Sequence, residues 1–376
     1  MSMEVPKGLK ILHLTTHLNT GGITTYISEL GTEMTKRGYD ITVLSAGGEL
    51  EEELAAKNLD VLKFSIRTKS LLSPKLFMAL PKIVRLVKQR RFDLIHAHTR
   101  VTQGLASAVS FLTRVPYIST AHGFYRRRFG RRIFPAWGRR VIAISPLVAE
   151  ELEKTHKVPR PNIRIVFNGI DVEGHRKKIM GKNPAEVRRA MAIGQNTFVI
   201  GCISRLVRDK GHEYLIEAVA RLKKKHADVF LVMVGGGREE KRLQRLILDQ
   251  RLADKALLLP SERDITSILS ILDVFVHPAT FREGFGLAML EAMAAKVPVV
   301  ASDIWAINSI IRHGVNGLLV KPKSASEIEK ALASVIENPE LAGAMAQSAY
   351  AMARDAYSIE RMASELETVY SEVLGK

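Results

Sequence analysis

The chain has 376 residues, enough for two or three domains with separate cores and too many for one small module. Hydrophobic residues make up 46% and charged residues 25%, the balance of a soluble globular protein, which excludes wholesale disorder. The single cysteine, Cys202, excludes an internal disulfide and a cysteine-based zinc site, and the expected setting is reducing and cytosolic.

In chain order, Glu4, Lys7 and Lys10 precede a short apolar strand, so the N-terminus lacks the apolar core of a secretory signal. Nowhere do about 18 apolar residues run uninterrupted, and a spanning helix is not expected. Short β-rich apolar runs then alternate with amphipathic stretches, the pattern of parallel α/β architecture. Strands are expected at residues 11–15, 41–45, 61–64, 93–97, 117–120, 141–144 and 163–167, enough for one doubly wound sheet, with helices at 22–37 and 74–90 among those between. Over 172–184 Gly, Lys and Arg cluster and apolar periodicity lapses, which marks a domain boundary. The second half restarts with strands expected at 197–204, 229–234, 256–259, 274–277, 299–302 and 318–320, helices lying between. From Ser324 the pattern is helical, Pro339 opening one helix and Ser358 capping the last. Ligands of open α/β sheets bind beyond the carboxyl ends of strands, so two facing sheets imply a site in a central cleft.

The net charge of +17 is unevenly spread: residues 1–170 hold 27 Lys and Arg against 13 Asp and Glu, and residues 171–376 hold 29 against 26. No acidic residue lies between Asp93 and Glu150, and residues 124–140 combine seven arginines with five aromatics. Arg126, Arg127, Arg128, Arg131 and Arg132, with Phe134 and Trp137, therefore suit an anionic partner: phospholipid head groups, a phosphorylated acceptor or a nucleic acid. The competing reading is a solvated basic helix, but such faces normally mix charge signs.

The densest chemical signal is the run FREGFGLAMLEAMA at 281–294. A glycine turn after a strand, opening a helix, makes an anion site, because unpaired N–H groups and the helix dipole converge there. Glu283 precedes the turn and Glu291 follows eight positions later, far enough to read hydroxyls at two ends of one extended ligand. An exposed pair of glutamates near a helix start is the plainer alternative. Arg205 and Lys210 follow another strand and precede Gly211 and a helix, which places two cations where a diphosphate would be neutralised. Gly235, in a glycine cluster after a third strand, adds weaker support. His96 and His98, two apart, share one strand face and imitate half a metal site, but with no visible third ligand they read as packing at a strand end.

These motifs resemble the retaining glycosyltransferases of family 4, with the GT-B fold, whose signature is two glutamates separated by seven residues around an EGFG loop: Glu283, Gly284, Phe285, Gly286 and Glu291. Further points of similarity are the Gly21-Gly22 pair, His122-Gly123 after a mid-domain strand, and the run Phe167-Asn168-Gly169-Ile170-Asp171. The resemblance implies two Rossmann-like domains, 1–175 on the acceptor side with 358–376 packing back onto it, and 176–357 binding the nucleotide sugar. It implies that Arg205 and Lys210 hold the donor diphosphate, that Glu283 with the backbone from Gly284 to Leu287 holds the transferred sugar and phosphate, and that Glu291 binds the ribose. Gly21, Gly22, Gly235 and Arg263 complete the donor site, and His122 contacts the sugar near the reacting carbon. No cofactor and no divalent metal is expected. The chain departs from the family pattern at 304–309 (IWAINS), at Lys296 and at Ser261.

The activity implied is transfer of a hexosyl unit from a UDP- or GDP-sugar to an acceptor hydroxyl with retention, the leaving phosphate helping to deprotonate the acceptor. The expected acceptor is a lipid-linked glycan or a lipopolysaccharide or polysaccharide precursor, reached by peripheral binding to the anionic inner face of the cytoplasmic membrane. A sugar-nucleotide epimerase and a phosphorylase share the architecture and remain competing readings; a nucleic-acid-binding protein is the alternative from another class, without a recognised module.

Overall fold

The structure is a computed structural model, described for residues 8–125, 134–262, 264–281 and 283–375. The chain forms two compact units, one running to Gly169 and resuming at Ile359, the other Ile170–Ser358. The change of unit therefore falls before the expected 172–184 boundary. In place of a linker there stands a helix, Val172–Met180, started by Asp171, whose side chain accepts from the Gly174 N–H at 2.8 Å. Only Val172 of this helix is buried, so its sequence carries almost no apolar periodicity.

The first unit holds a seven-stranded parallel sheet: β1 (Lys10–Leu14), β2 (Asp40–Ser45), β3 (Asp60–Lys63), β4 (Leu94–Ala97), β5 (Tyr117–Ala121), β6 (Val141–Ala143) and β7 (Ile163–Ile165), in the order β3-β2-β1-β4-β5-β6-β7. Helices cover both faces, which is why the strands read as nearly continuous apolar runs. The pleat sends alternate residues to opposite layers. Leu12 and Leu14 join Ile95, Ile83 and Val87 on one face, while Ile11 joins Ile27, Leu30, Leu94, Leu366 and Tyr370 on the other.

Leu366 and Tyr370 belong to the last helix, Ile359–Leu374, which packs against the helix Gly22–Lys36. Arg37 ties the two together, donating to Glu367 at 2.8 Å, to the Ser364 hydroxyl at 2.9 Å and to the Glu360 carbonyl at 2.7 Å. Farther along, Glu372 accepts from Arg140 and Arg164.

The second unit has a six-stranded parallel sheet: β8 (Phe198–Ile203), β9 (Val229–Val234), β10 (Ala256–Leu259), β11 (Val274–His277), β12 (Val299–Ser302) and β13 (Leu318–Val320), ordered β10-β9-β8-β11-β12-β13. Its core joins Ile200, Leu231, Met233, Val274 and Val276 to Leu215, Val219, Ile328 and Leu332. Both sheets are of the doubly wound, Rossmann-like kind.

Leu366 is fully buried against the helix Gly22–Lys36. Leu366→Ala should destabilise the first unit by about 2–5 kcal/mol, read as a lowered urea midpoint; an unchanged midpoint would show that the last helix adds little to that core.

Candidate functional site

In the second sheet the strand order reverses between β8 and β11. Helices after these two strands leave to opposite faces, so the strand ends between them stay uncovered, which is where open α/β sheets bind ligands. After β8 the chain runs through Ser204 and Arg205 to a 3₁₀ turn, Arg208–Lys210, and then through Gly211 into the helix His212–Leu222. Gly211 is left-handed, with φ 68°, and a Cβ there would run into the Pro278 carbonyl oxygen. That close approach joins the loop to the one after β11, where the Thr280 N–H donates to the Asp209 carbonyl at 2.8 Å. Gly235, after β9, is held in the same way: a Cβ would meet the Ser204 carbonyl.

Lys210 Nζ is paired with Glu283 Oε2. His277, the last residue of β11, places Nε2 3.3 Å from the same oxygen. Burial opposes ionisation of Glu283, but the His277 hydrogen bond and the Lys210 charge outweigh it and hold the carboxyl well below the usual range. Glu283 Oε1 accepts from the Gly284 N–H at 3.2 Å. His212, behind this pair, is held down to about 4 by burial and by the Lys210 charge, with Nε2 2.9 Å from the Ser204 hydroxyl. Arg205 is exposed and has no ion-pair partner among the described residues.

Gly286, left-handed at φ 93°, precedes the helix Leu287–Ala294, and no side chain caps that start. The first N–H groups of the helix therefore face outward with the positive end of its dipole. Glu291 is the fifth residue of this helix and is half-buried. Phe285 does not line the site: it is buried, edge-on to Tyr357 at 5.6 Å, so a ligand would meet only its backbone. The structure thus brings Lys210, Glu283, Gly284 and the Gly286–Leu287 helix start to one sheet edge, with Arg205 on the neighbouring loop. Arg263 lies outside the described residues.

The first sheet reverses between β1 and β4. After β1, Gly21 and Gly22 start the helix Gly22–Lys36 without a side-chain cap; both are exposed, and a Cβ at Gly21 would meet nothing within 4 Å. At the same edge stands a histidine cluster. His13 of β1 is paired in register with His96 of β4, while His98 and His122 lie one residue past β4 and β5. His96 and His98 are thus not simple strand-end packing: His13 is the third imidazole, and the three present ring nitrogens within 4.8 Å of one another. Burial lowers His13 and His122 to about 3, and lowers His96 and His98 well below the usual value. Sequence reading missed His13 and His277; the available signal was a single histidine within each apolar strand.

Of the basic segment, Arg126, Arg127, Arg128, Arg131 and Arg132 lie outside the described residues. Phe134 is half exposed, at 47%. Trp137 corrects the expectation of a surface aromatic: it is buried, edge-on to Tyr125 and His156 with ring centroids 5.7 Å from each.

Residues 20–173 match the family model described as Glycosyltransferase Family 4, and residues 184–352 match Glycosyl transferases group 1. The chain is a glycosyltransferase with those two domains. Among its relatives, an uncharacterized glycosyltransferase of Methanocaldococcus jannaschii is 26% identical over 326 residues, covering 82% of this chain and 83% of its own. The UDP-Gal:alpha-D-GlcNAc-diphosphoundecaprenol alpha-1,3-galactosyltransferase of Escherichia coli is 27% identical over 279 residues, covering 70% and 71%. Among solved structures, Anabaena HepE in complex with UDP and glucose superposes with a TM-score of 0.84 at 22% identity, over 97% of this chain and all of that one. The fold is GT-B.

The glycosyltransferase should lose stability as pH falls. His13, His96 and His98 stay neutral when folded, whereas in the unfolded chain they take up protons near the ordinary value of 6.5. Their contribution is therefore complete above pH 6.5 and is lost as pH drops from there toward about 3, at up to about 1.4 kcal/mol per pH unit for each group. Urea unfolding at pH 7.5 and 5.5 checks this; equal midpoints for the first unit would contradict it.

Proposed function

We propose that the glycosyltransferase moves a hexosyl unit from a nucleoside diphosphate sugar to an acceptor hydroxyl with retention of anomeric configuration. The observation that carries this reading is the uncovered edge between β8 and β11, where Lys210, exposed Arg205 and an uncapped helix start offer positive charge and N–H donors together. A leaving diphosphate gathers negative charge as the glycosidic bond breaks, and preorganised cations and dipoles stabilise that charge most where water is excluded. Lys210 exchanges part of its contact with Glu283 for the phosphate, and Glu283, still held by His277, turns an oxygen to the sugar hydroxyls. Glu291, about one and a half turns into the helix, reads the ribose. His122 contacts the sugar near the reacting carbon. The chain's own cations supply the charge, so the reading requires neither cofactor nor divalent metal.

Arg205 gives the cleaner test, since its exposed side chain holds nothing in place. Arg205→Ala and Lys210→Ala should each weaken calorimetric binding of the UDP- or GDP-sugar that the protein accepts by about tenfold or more, as a charged hydrogen bond is worth roughly 1.5–3 kcal/mol. Unchanged affinity in Arg205→Ala and in a folded Lys210→Ala would remove the diphosphate from this edge.

For the acceptor, the reading is a lipid-linked glycan at an anionic membrane surface. The name of the Escherichia coli relative gives that protein a diphosphoundecaprenol acceptor, and the charge distribution of this chain supports a similar class. Besides the 126–132 arginines, the helix Pro74–Arg90 carries Lys75, Lys82, Arg85, Lys88 and Arg90 without an acidic residue, and exposes Phe77 and Met78. Such a face binds anionic lipid by charge and by shallow apolar contact. No helix among the described residues is long and apolar enough to cross a membrane. Changing Arg126, Arg127, Arg128, Arg131 and Arg132 to Ser should sharply reduce sedimentation with anionic vesicles at low salt while sparing donor affinity. Failure of the unaltered protein to sediment would favour a soluble acceptor.

A further inference from the structure

Three imidazoles of the first unit are joined nitrogen to nitrogen. His13 Nδ1 lies 2.9 Å from His98 Nε2, and His98 Nδ1 lies 3.1 Å from His122 Nε2. The His13 and His98 rings are stacked, 5.1 Å apart and 7° from parallel. His96 stands beside this thread but spends both nitrogens elsewhere, Nδ1 at 3.0 Å from the Tyr370 hydroxyl and Nε2 at 2.7 Å from the Thr120 hydroxyl. Tyr26 closes the side toward the helix Gly22–Lys36, its ring edge-on to His122 at 4.7 Å. The groups facing the thread from β1, β4, β5, that helix and the last helix are thus hydroxyls and imidazoles. No carboxylate, lysine or arginine among the described residues perturbs these four rings.

A neutral imidazole has one N–H and one bare nitrogen, and a hydrogen bond between two nitrogens takes one proton. The thread therefore has only two polarities. In the first, His13 donates from Nδ1 to His98, His98 donates from Nδ1 to His122 Nε2, and the proton of His122 is left on Nδ1. In the second, every proton is shifted: His122 donates from Nε2 to His98, His98 donates to His13, and His13 carries its proton on Nε2. That last nitrogen is buried and has no hydrogen-bond partner among the described residues. A buried N–H without an acceptor is rarer and costlier than an unused lone pair, so the first polarity wins.

We propose that His13 and His98 are positioning residues that hold His122 as the Nδ1–H tautomer, so that this nitrogen presents a hydrogen-bond donor to a sugar oxygen. The inference rests on the reading of His122 as a sugar-facing residue. His122 Nδ1 is engaged by no described residue and His122 is half-buried, which leaves it available for a substrate. The second ring nitrogen sets the tautomer of the first, as in any histidine held from behind. A metal ion fits the same nitrogens less well. It would sit fully buried among neutral ligands with no carboxylate to balance it, and it would break the contacts among His13, His98 and His122.

Nitrogen-15 NMR of histidine-labelled protein at neutral pH reads the tautomer directly. The expected result is a protonated Nδ1 and a bare Nε2 at His122, with loss of that single form to a mixture of the two tautomers in His98→Phe, where nothing fixes Nε2 from behind. His98→Gln, whose amide can donate in the same direction, should keep the Nδ1–H form. In transfer assays His98→Phe should lower kcat about tenfold, the loss of one oriented hydrogen bond, with the KM for the donor within about twofold, and His98→Gln should recover most of the rate. A protonated Nε2 at His122 in the unaltered protein overturns the proposal, as does a stoichiometric bound metal by elemental analysis. Should His98→Phe fail to fold, the spectrum of the unaltered protein and the His98→Gln kinetics decide alone. His122→Ala transferring at the unaltered rate would instead strike down the sugar-facing reading of His122, separately from its tautomer.

Discussion

The constraint on which the rest depends is the reversal of strand order within each parallel sheet. Parallel strands end at one edge, and where neighbouring strands send their chains to opposite faces no helix covers their ends. In the first unit the gap lies between β1 and β4, and in the second between β8 and β11. The candidate groups gather around these two gaps. Glycines at 21, 211 and 286 begin three of the four helices that follow these strands without a side-chain cap; the fourth, Arg100–Thr113 after β4, is capped by Thr99, as the helices beginning at Pro146 and Ala325 are by Ser145 and Ser324.

The two gaps handle ionisable groups in opposite ways. The second unit buries charge and pays for it with partners, Lys210 and His277 converging on Glu283, an arrangement that stays charged and can be re-sorted by an anion without stripping any group bare. The first unit removes charge altogether, keeping its imidazoles neutral by burial. One edge is therefore suited to neutralising phosphate and the other to orienting uncharged hydroxyls.

How much of this the sequence discloses follows from what each feature costs to bury. Strands covered on both faces run apolar, so β9 at Val229–Val234 and β11 at Val274–His277 coincide with their apolar runs. Strand ends differ where pairing outlasts hydrophobicity: Asp40 opens β2 because it pairs with Lys10, not because it is buried. The helix Val172–Met180 is hidden for the same reason, its exposed Glu173, Lys177 and Lys178 giving no periodic signal. In the site, Arg205, Lys210, Glu283, Gly286 and Glu291 are readable because they follow strands and flank glycine turns within short stretches. The histidine thread is not, since His13 and His98 are 85 residues apart and His13 is one polar residue among apolar neighbours.

The last helix gives the chain an uncommon order of completion. Domains usually finish in the order in which they leave the ribosome. Here the second unit is continuous in sequence, Ile170–Ser358, while the first needs Ile359–Leu374 to cover Ile11, Ile27 and Leu30 and to place Tyr370 against His96. During synthesis the first-made half must wait, with one face of its sheet open, until Ile359–Leu374 has been made.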